Sequence, residues 1–362
     1  MELIKQSEIL DGARNLVRYA GIRAENSVLL LVTDKFDFPE VVNALNEAVG
    51  EVGTDLSILK VKTWSRALGV PPKVVEAVLP AVDVVILQGR SLNAQSRYEQ
   101  QAMYEYGTNI TVNMARTPEA LGSEYGRFPL ELFYAIGQKM LERVQRAKRL
   151  RLTTKAGTDI SMNIHPRRLG GYFYPVRKGW PGGSKAFPGG EFGIYPEDPC
   201  DGVIAVECFQ PDVSPPQSIL ETPLMITVKD HWAVKFEGPL SDWLQDQLAR
   251  RGDEYARLFC EVMWGIHPRA GIQGCRAAAN PNILHCALGN FQYAGGRYYS
   301  KMQLPLFMWQ PTITLDDEPV ILDGQLLLLE DRDLRKVAAR YGDPDQLLTI
   351  RPVPKGKNIF GE

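Results

Sequence analysis

The sequence predicts an α/β first part, with a small doubly wound and mostly parallel sheet, followed by an α+β second part of mainly antiparallel strands. Three observations carry this expectation. Apolar runs of strand length alternate with helical stripes up to about Lys148, and beyond it short strands separated by turn residues take over. The length, 362 residues, also exceeds what one hydrophobic core usually serves. The expected division is residues 1–148 for the α/β domain and 149–362 for an α+β domain carrying the active site.

The elements of the first part follow from periodicity and punctuation. Ser7 is the expected cap of a helix whose Leu10, Ala13, Leu16 and Val17 share one stripe and which ends near Gly21. Residues 27–33 form a continuous apolar run, as a strand covered on both faces requires. Pro39 suits the first position of a helix with Val41, Val42, Leu45, Ala48 and Val49 on its buried side. Residues 56–61, 82–87 and 108–112 supply three more strands, and a helix over 130–146 closes the part. The parallel sheet is thus expected within roughly residues 25–115. Asp34 and Gln88-Gly89-Arg90 fall at strand ends, where ligands of open α/β sheets sit, but no glycine-rich phosphate loop follows any strand. A nucleotide site is therefore not expected.

In the second part, strands over 149–154 and 160–164 flank the hairpin turn Lys155-Ala156-Gly157-Thr158-Asp159. Residues 167–193 mix glycines with aromatics and form either the rim of a pocket or a self-packed loop. Arg167, Arg168, Arg177 and Lys178 there either receive a carboxylate or form a solvated face. Strands follow over 202–209, 223–228 and 232–236, then a helix over 240–250. Residues 313–315 and 320–322 frame the acidic turn Asp316-Asp317-Glu318-Pro319. The run 326–329 reads as a last buried strand, and the charged tail beyond Glu330 as peripheral.

Composition narrows the function. A net charge of −2 lacks the basic excess of nucleic-acid or anionic-membrane partners. No apolar run has membrane-spanning length, and Met1-Glu2-Leu3-Ile4-Lys5 lacks a signal-peptide pattern. Five cysteines without CxxC spacing fit reduced thiols, so a cytoplasmic location is expected. With only four histidines in the chain, each one matters.

The chemistry concentrates between residues 259 and 303, where glycine turns separate apolar segments bearing Glu261, His285 and Lys301. Glu191, in a Gly-Gly-Glu turn, is a further candidate. Two carboxylates and an imidazole are the ligand types of a hydrolytic Zn, Mn or Fe centre, although no HExxH or HxH pair is present. The alternative is a set of buried polar groups satisfied within a core.

From about Arg149 to Gly324 the chain resembles the metallo-aminopeptidases of the aminopeptidase T type and their relative, the iron-dependent 2,5-dihydroxypyridine dioxygenase. Lys155-Ala156-Gly157-Thr158-Asp159 is similar to a hairpin shared by both. Trp264-Gly265-Ile266-His267-Pro268-Arg269-Ala270 and Leu315-Asp316-Asp317 resemble the dioxygenase. Gly190-Glu191-Phe192, Glu261 and His285-Cys286-Ala287-Leu288-Gly289 are similar to aminopeptidase segments that carry metal ligands. The resemblance implies a homodimer acting on a small-molecule or peptide substrate.

The departures are as informative. The resemblance implies a metal-binding His-x-Asp pair where this chain has Lys301-Met302-Gln303, and a further iron-binding histidine where it has Glu261. It also implies a metal-proximal tyrosine near Gln292, with Tyr293 one place off. Three readings remain open. One is a hydrolase holding a divalent metal on Glu191, Glu261 and His285, with Lys301 stabilising an oxyanion. Another is a metal-free site with Glu261 as general base and Lys301, pointing into the cavity toward Glu261 or Glu191, as its electrostatic partner. The third is a non-catalytic peptide-binding protein of the same fold. Iron-dependent ring cleavage is the further alternative, weakened by the missing ligands. Trp264, His267, Arg269, Tyr293 and Gln303 are the expected substrate contacts.

Overall fold

The computed structural model describes residues 4–64, 71–89, 97–165, 169–172, 185–196, 198–210, 215–251, 253–271, 277–290 and 297–355. The chain opens with helix α1 (Gln6–Ala20), strand β1 (Val28–Thr33), α2 (Pro39–Val52), β2 (Leu56–Val61), α3 (Lys73–Val78), β3 (Val84–Gln88) and α4 (Arg97–Tyr104). Then come β4 (Asn109–Asn113), α5 (Pro118–Leu121) and α6 (Leu130–Arg146). Ser7 does not cap α1. It lies inside the first turn, while Lys5 occupies the cap position and its N–H donates to the Glu8 carboxylate at 3.0 Å. α1 ends on Gly21 and α2 on Gly53, both left-handed (φ 71° and 92°), a conformation that costs glycine little.

Strands β2, β1, β3 and β4 lie side by side in parallel. The apolar run of β1 serves both faces: Val28, Leu30 and Val32 meet α1 and α2, while Leu29 and Leu31 meet α3 and α4. At the end of β1, the Asp34 carboxylate accepts hydrogen bonds from the amides of Lys35 and Thr63. It therefore ties the turn after β1 to the segment that follows β2.

The second part begins with β5 (Arg149–Thr153), β6 (Asp159–Asn163) and β7 (Leu169–Tyr172), followed by β8 (Lys185–Phe187). Strand β8 leaves its neighbours in sequence and pairs in parallel with β4, making the first sheet five-stranded. The expectation of a sheet confined to residues 25–115 is corrected here. Its physical basis is Phe187, which is buried in the core of that sheet and stands edge-on to Tyr19, ring centroids 5.5 Å apart.

The remaining elements are β9 (Glu191–Ile194), β10 (Asp201–Phe209), β11 (Ile219–Lys229), β12 (Trp232–Glu237), α7 (Ser241–Arg251) and β13 (Phe259–Gly265). They continue with β14 (Ile283–Gly289), β15 (Gln303–Trp309), β16 (Thr312–Leu315), β17 (Glu318–Leu322), β18 (Gln325–Leu326), α8 (Arg332–Ala338) and α9 (Pro344–Leu348). These strands, with β5, β6 and β7, form a 13-stranded antiparallel sheet in the order β18-β17-β16-β5-β6-β10-β15-β14-β13-β9-β7, from which β11 and β12 branch at β10. One face carries the largest core, where Trp264, Leu284, Leu288, Leu304 and Leu306 meet Leu132, Ile136, Met140 and Val144 of α6.

Two expectations about the end of the chain change. The run 326–329 is a strand only over Gln325–Leu326 and then winds into a 3-10 turn, Leu327–Glu330. The tail beyond Glu330 is not peripheral. Leu334, Ala338 and Leu348 are buried in the main core, and Val353 in a smaller one. Among the described residues, no helix is long and apolar enough to cross a membrane.

Gly265, where β13 ends, marks a close backbone approach. A Cβ there would lie 2.1 Å from both the carbonyl carbon and the oxygen of Asn280. Because the obstacle is backbone, Gly265→Ala is expected to destabilise the fold by about 1–3 kcal/mol, the usual range for overpacking. Urea unfolding of parent and variant checks this, and an unchanged midpoint would contradict the close approach.

Candidate active site

The face of the large sheet opposite the main core gathers the candidate residues. Register places them. Met263 of β13 pairs with His285 of β14 and with Gly193 of β9, and Glu261 pairs with Ala287. His285 pairs with Phe307 of β15, Ala287 with Pro305 and Gly289 with Gln303. Directly paired residues share a face, so Glu261, Met263, His285, Gln303 and Phe307 all point the same way. Glu191, opposite Gly265, joins them.

A β-bulge decides the position of Glu261. Phe259 pairs with Leu288 and Glu261 with Ala287, leaving Cys260 as the extra residue. Strict alternation from Phe259, which lies in the main core, would send Glu261 into that core too. The extra residue turns its carboxylate to the opposite face.

Two contacts organise this face. His285 Nδ1 lies 3.5 Å from Glu191 Oε1, and both side chains are about nine-tenths or more buried. They reach each other across β13, where Gly265 offers no side chain in between. The imidazole stacks on Phe307, ring centroids 4.7 Å apart and planes 16° apart. Its Nε2 is buried without a hydrogen-bond partner among the described residues. The second contact is the Gln303 amide, which donates to Glu261 Oε2 at 2.5 Å across Ala287 and Gly289 of β14. Glu261 is diagonal to His285 across β13 and β14, a relation that sets residues roughly 7–8 Å apart with their Cβ atoms somewhat closer.

The other candidates lie elsewhere. Lys301 is exposed, and its backbone N–H donates to the Asp253 carboxylate. The expectation that its ammonium enters the cavity toward Glu261 or Glu191 is therefore corrected. Asp253 and Ser300 fix the backbone so that Gln303, two residues on, takes the inward position. Trp264, expected to touch substrate, is fully buried on the main-core face against Phe192, centroids 5.3 Å apart. His267 is fully buried with its ring 4.7, 4.5 and 4.9 Å from those of Tyr125, Phe128 and Phe133. Its Nδ1 accepts the Arg269 N–H at 3.2 Å. Burial first, and the Arg269 charge second, push its pKa down to about 3, so the ring is neutral. Arg269 is committed to the Glu124 carboxylate and to the Thr349 carbonyl. It therefore offers no free guanidinium to a substrate carboxylate. Tyr293, Arg167, Arg168, Arg177 and Lys178 lie outside the described residues.

Among the described residues, cysteine chemistry is disfavoured as well. Burial raises the Cys200 and Cys208 thiols to about 12 and holds Cys260 and Cys286 well above the ordinary value. All four stay protonated, which suits core residues rather than nucleophiles.

Does this donor set fit an ion? Among the described residues, no group of three or more His, Cys, Asp or Glu is placed to hold one. Non-haem iron sites that activate oxygen usually take two imidazoles and a carboxylate. Here His267 is enclosed by aromatics, His231 sits in the turn between β11 and β12, and His165 is exposed beyond β6. Only His285 faces a buried carboxylate on the candidate face, and Glu261 is bonded to an amide donor. The residues present do not fit an iron centre, and Glu191, Glu261 and His285 do not form a group placed to hold an ion.

A family model described as NicX, 2,5-dihydroxypyridine 5,6-dioxygenase, matches residues 8–328. A family of that kind points to an iron-type cofactor. Among solved structures, 2,5-dihydroxypyridine dioxygenase from Pseudomonas putida KT2440 superposes with a TM-score of 0.71 at 18% identity, covering 90% of this chain and 98% of that one. Wild-type AmpT from Thermus thermophilus gives 0.58 at 14% identity, covering 89% and 100%. At these identities the likeness is one of fold, and both parts of the fold are shared. No curated protein sequence matches the chain.

Proposed function

The chain belongs to the 2,5-dihydroxypyridine 5,6-dioxygenase family, and from that premise we propose that it acts on a small ring or amide containing nitrogen, by acid–base hydrolysis rather than iron-dependent ring cleavage. The observation that carries this reading is the buried His285–Glu191 pair, with Nε2 turned away from Glu191 and unbonded among the described residues. A carboxylate at Nδ1 favours the tautomer with its proton there and leaves the Nε2 lone pair available as a base. At 3.5 Å the two atoms lie in ion-pair range with no hydrogen bond between them, and catalytic contacts are often open in this way until a substrate tightens them.

In this reading His285 Nε2 takes a proton from water as the oxygen attacks the amide carbon. Glu191 stabilises the imidazolium that forms. The same proton then passes to the nitrogen as the C–N bond breaks, giving a carboxylic acid and an amine. Glu261, held by Gln303, accepts the N–H of the amide and orients it. Iron-dependent ring cleavage is the competing reading, and it rests on the family match.

The experiment sets the two against each other. Protein prepared with and without added ferrous iron is given 2,5-dihydroxypyridine and, separately, a panel of small cyclic and linear amides. Oxygen uptake and amine release are followed. Amide hydrolysis that ignores both chelator and oxygen is expected. Oxygen uptake matching loss of the dihydroxypyridine, only in iron-loaded protein, would overturn the reading.

A further inference from the structure

The segment from Thr349 to Lys355 lies across the candidate face like a strap and is tied down along its length. The Arg351 N–H donates to the Pro268 carbonyl at 2.8 Å, and the Arg351 carbonyl accepts the Asn280 side-chain amide, also at 2.8 Å. The same amide group bonds the Ala270 carbonyl at 2.8 Å, so one asparagine clamps two crossing backbones. Arg351 and Arg269 both reach the Glu124 carboxylate. Further on, Val353 is buried among Cys208, Ala277, Ala278, Ile283, Phe307 and Trp309.

The last tie is ionic. The Lys355 ammonium meets Oε1 of Glu207, a carboxylate about 95% buried, whose Oε2 accepts the Trp309 N–H at 2.9 Å. Glu207 thus joins the strap to β15, the strand that carries Phe307. Withdrawing the ammonium leaves a buried carboxylate without its partner charge, which is strongly destabilising and loosens the tie between strap and β15. Phe307, in the same buried cluster as Val353 of the strap, is the ring on which His285 stacks.

We infer that the strap is a positioning element of the site: Val353 and the Lys355–Glu207 pair hold Phe307, and Phe307 holds the His285 imidazole facing Glu191. This rests on His285 being the working group of the proposed reaction, but the link from strap to imidazole stands on geometry alone. Val353 and Lys355 act through Phe307 and touch no substrate. Packed side chains transmit such constraints because interiors have few alternative arrangements.

The test reads the imidazole directly, so it remains meaningful whatever the substrate is. Full-length protein with nitrogen-15-labelled histidine gives four ring-nitrogen signal sets, one for each histidine in the chain. His285→Gln identifies the His285 set. Lys355→Met and Val353→Ala are each expected to move the His285 ring-nitrogen shifts and alter its tautomer balance, leaving the His165 signals in place. Lys355→Arg, which keeps the charge, is expected to restore the parent spectrum. Faster hydrogen exchange of the Arg351 amide, which donates to the Pro268 carbonyl in the parent, confirms that the strap is released in the first two variants. A released strap with an unchanged His285 spectrum overturns the inference. So does equal movement of all four histidines with no rescue by arginine, which marks a general loosening of the fold. If Lys355→Met does not fold, Val353→Ala alone decides.

Discussion

Replacing His285 by glutamine should lower kcat/KM on the hydrolysed amide by about 10²–10⁴-fold, the range usual for loss of a positioned general base. Glutamine keeps the polarity and much of the length of the side chain but cannot take a proton at neutral pH. Stability should change little by comparison, because Phe307 keeps a planar group to pack against. Glu191→Gln should act through the same group with a smaller loss, since it removes the partner charge of the imidazolium rather than the base. Steady-state kinetics on both variants, with circular dichroism as a control for folding, measure this. Full activity in His285→Gln would remove the imidazole from the mechanism.

The second large effect belongs to His267 and concerns acid stability. Its folded pKa is lowered from 6.5 to about 3. A histidine held neutral in the fold binds its proton more readily once unfolded. Its contribution is therefore fully present above pH 6.5 and is lost as pH falls from there toward 3. A shift of this size corresponds to roughly 4–5 kcal/mol at 1.36 kcal/mol per pKa unit. His267→Phe should leave the ring cage filled while abolishing this loss. Urea unfolding of parent and variant across the acid range isolates it, because carboxylates common to both cancel in the difference. A difference that does not change with pH would show that the imidazole takes up its proton equally in the folded and unfolded states.

Much of the fold was legible in the sequence because it rests on local periodicity. Helix α6 begins and ends where its Leu132, Ile136, Met140 and Val144 stripe predicts, and β1 lies within the apolar run read as a strand. Strand β8 was not legible. Lys185-Ala186-Phe187 is too short to show a period, and its membership of the first sheet depends on pairing with β4, far back in the chain. The strap was missed for a similar reason, since its ionic tie joins residues 148 positions apart. In the site, Glu191 and His285 were named from their context and do come together. The fates of Glu261 and Trp264 could not be read, because the bulge at Cys260 resets the alternation between Phe259 and both of them. Lys301 and Gln303 show the same limit at a turn. Both stand in a polar stretch, and only the bond from Lys301 N–H to Asp253 decides which one faces inward.

The short link between the two sheets has a mechanical consequence. Strand β8 ends at Phe187 in one sheet and β9 begins at Glu191 in the other, with only Pro188, Gly189 and Gly190 between them. Three residues span at most about 10 Å, so the link has little slack. Its carbonyls are pinned as well, at Gly189 by the Tyr125 hydroxyl and at Gly190 by the Ile266 N–H. A tilt or slide of the parallel sheet therefore cannot be absorbed before it reaches Glu191. It arrives as a displacement of the carboxylate that faces His285. The two halves of the molecule have no independent degree of freedom at this point: whatever strains or steadies the first sheet is transmitted, through one taut turn, to the Glu191–His285 pair in the second.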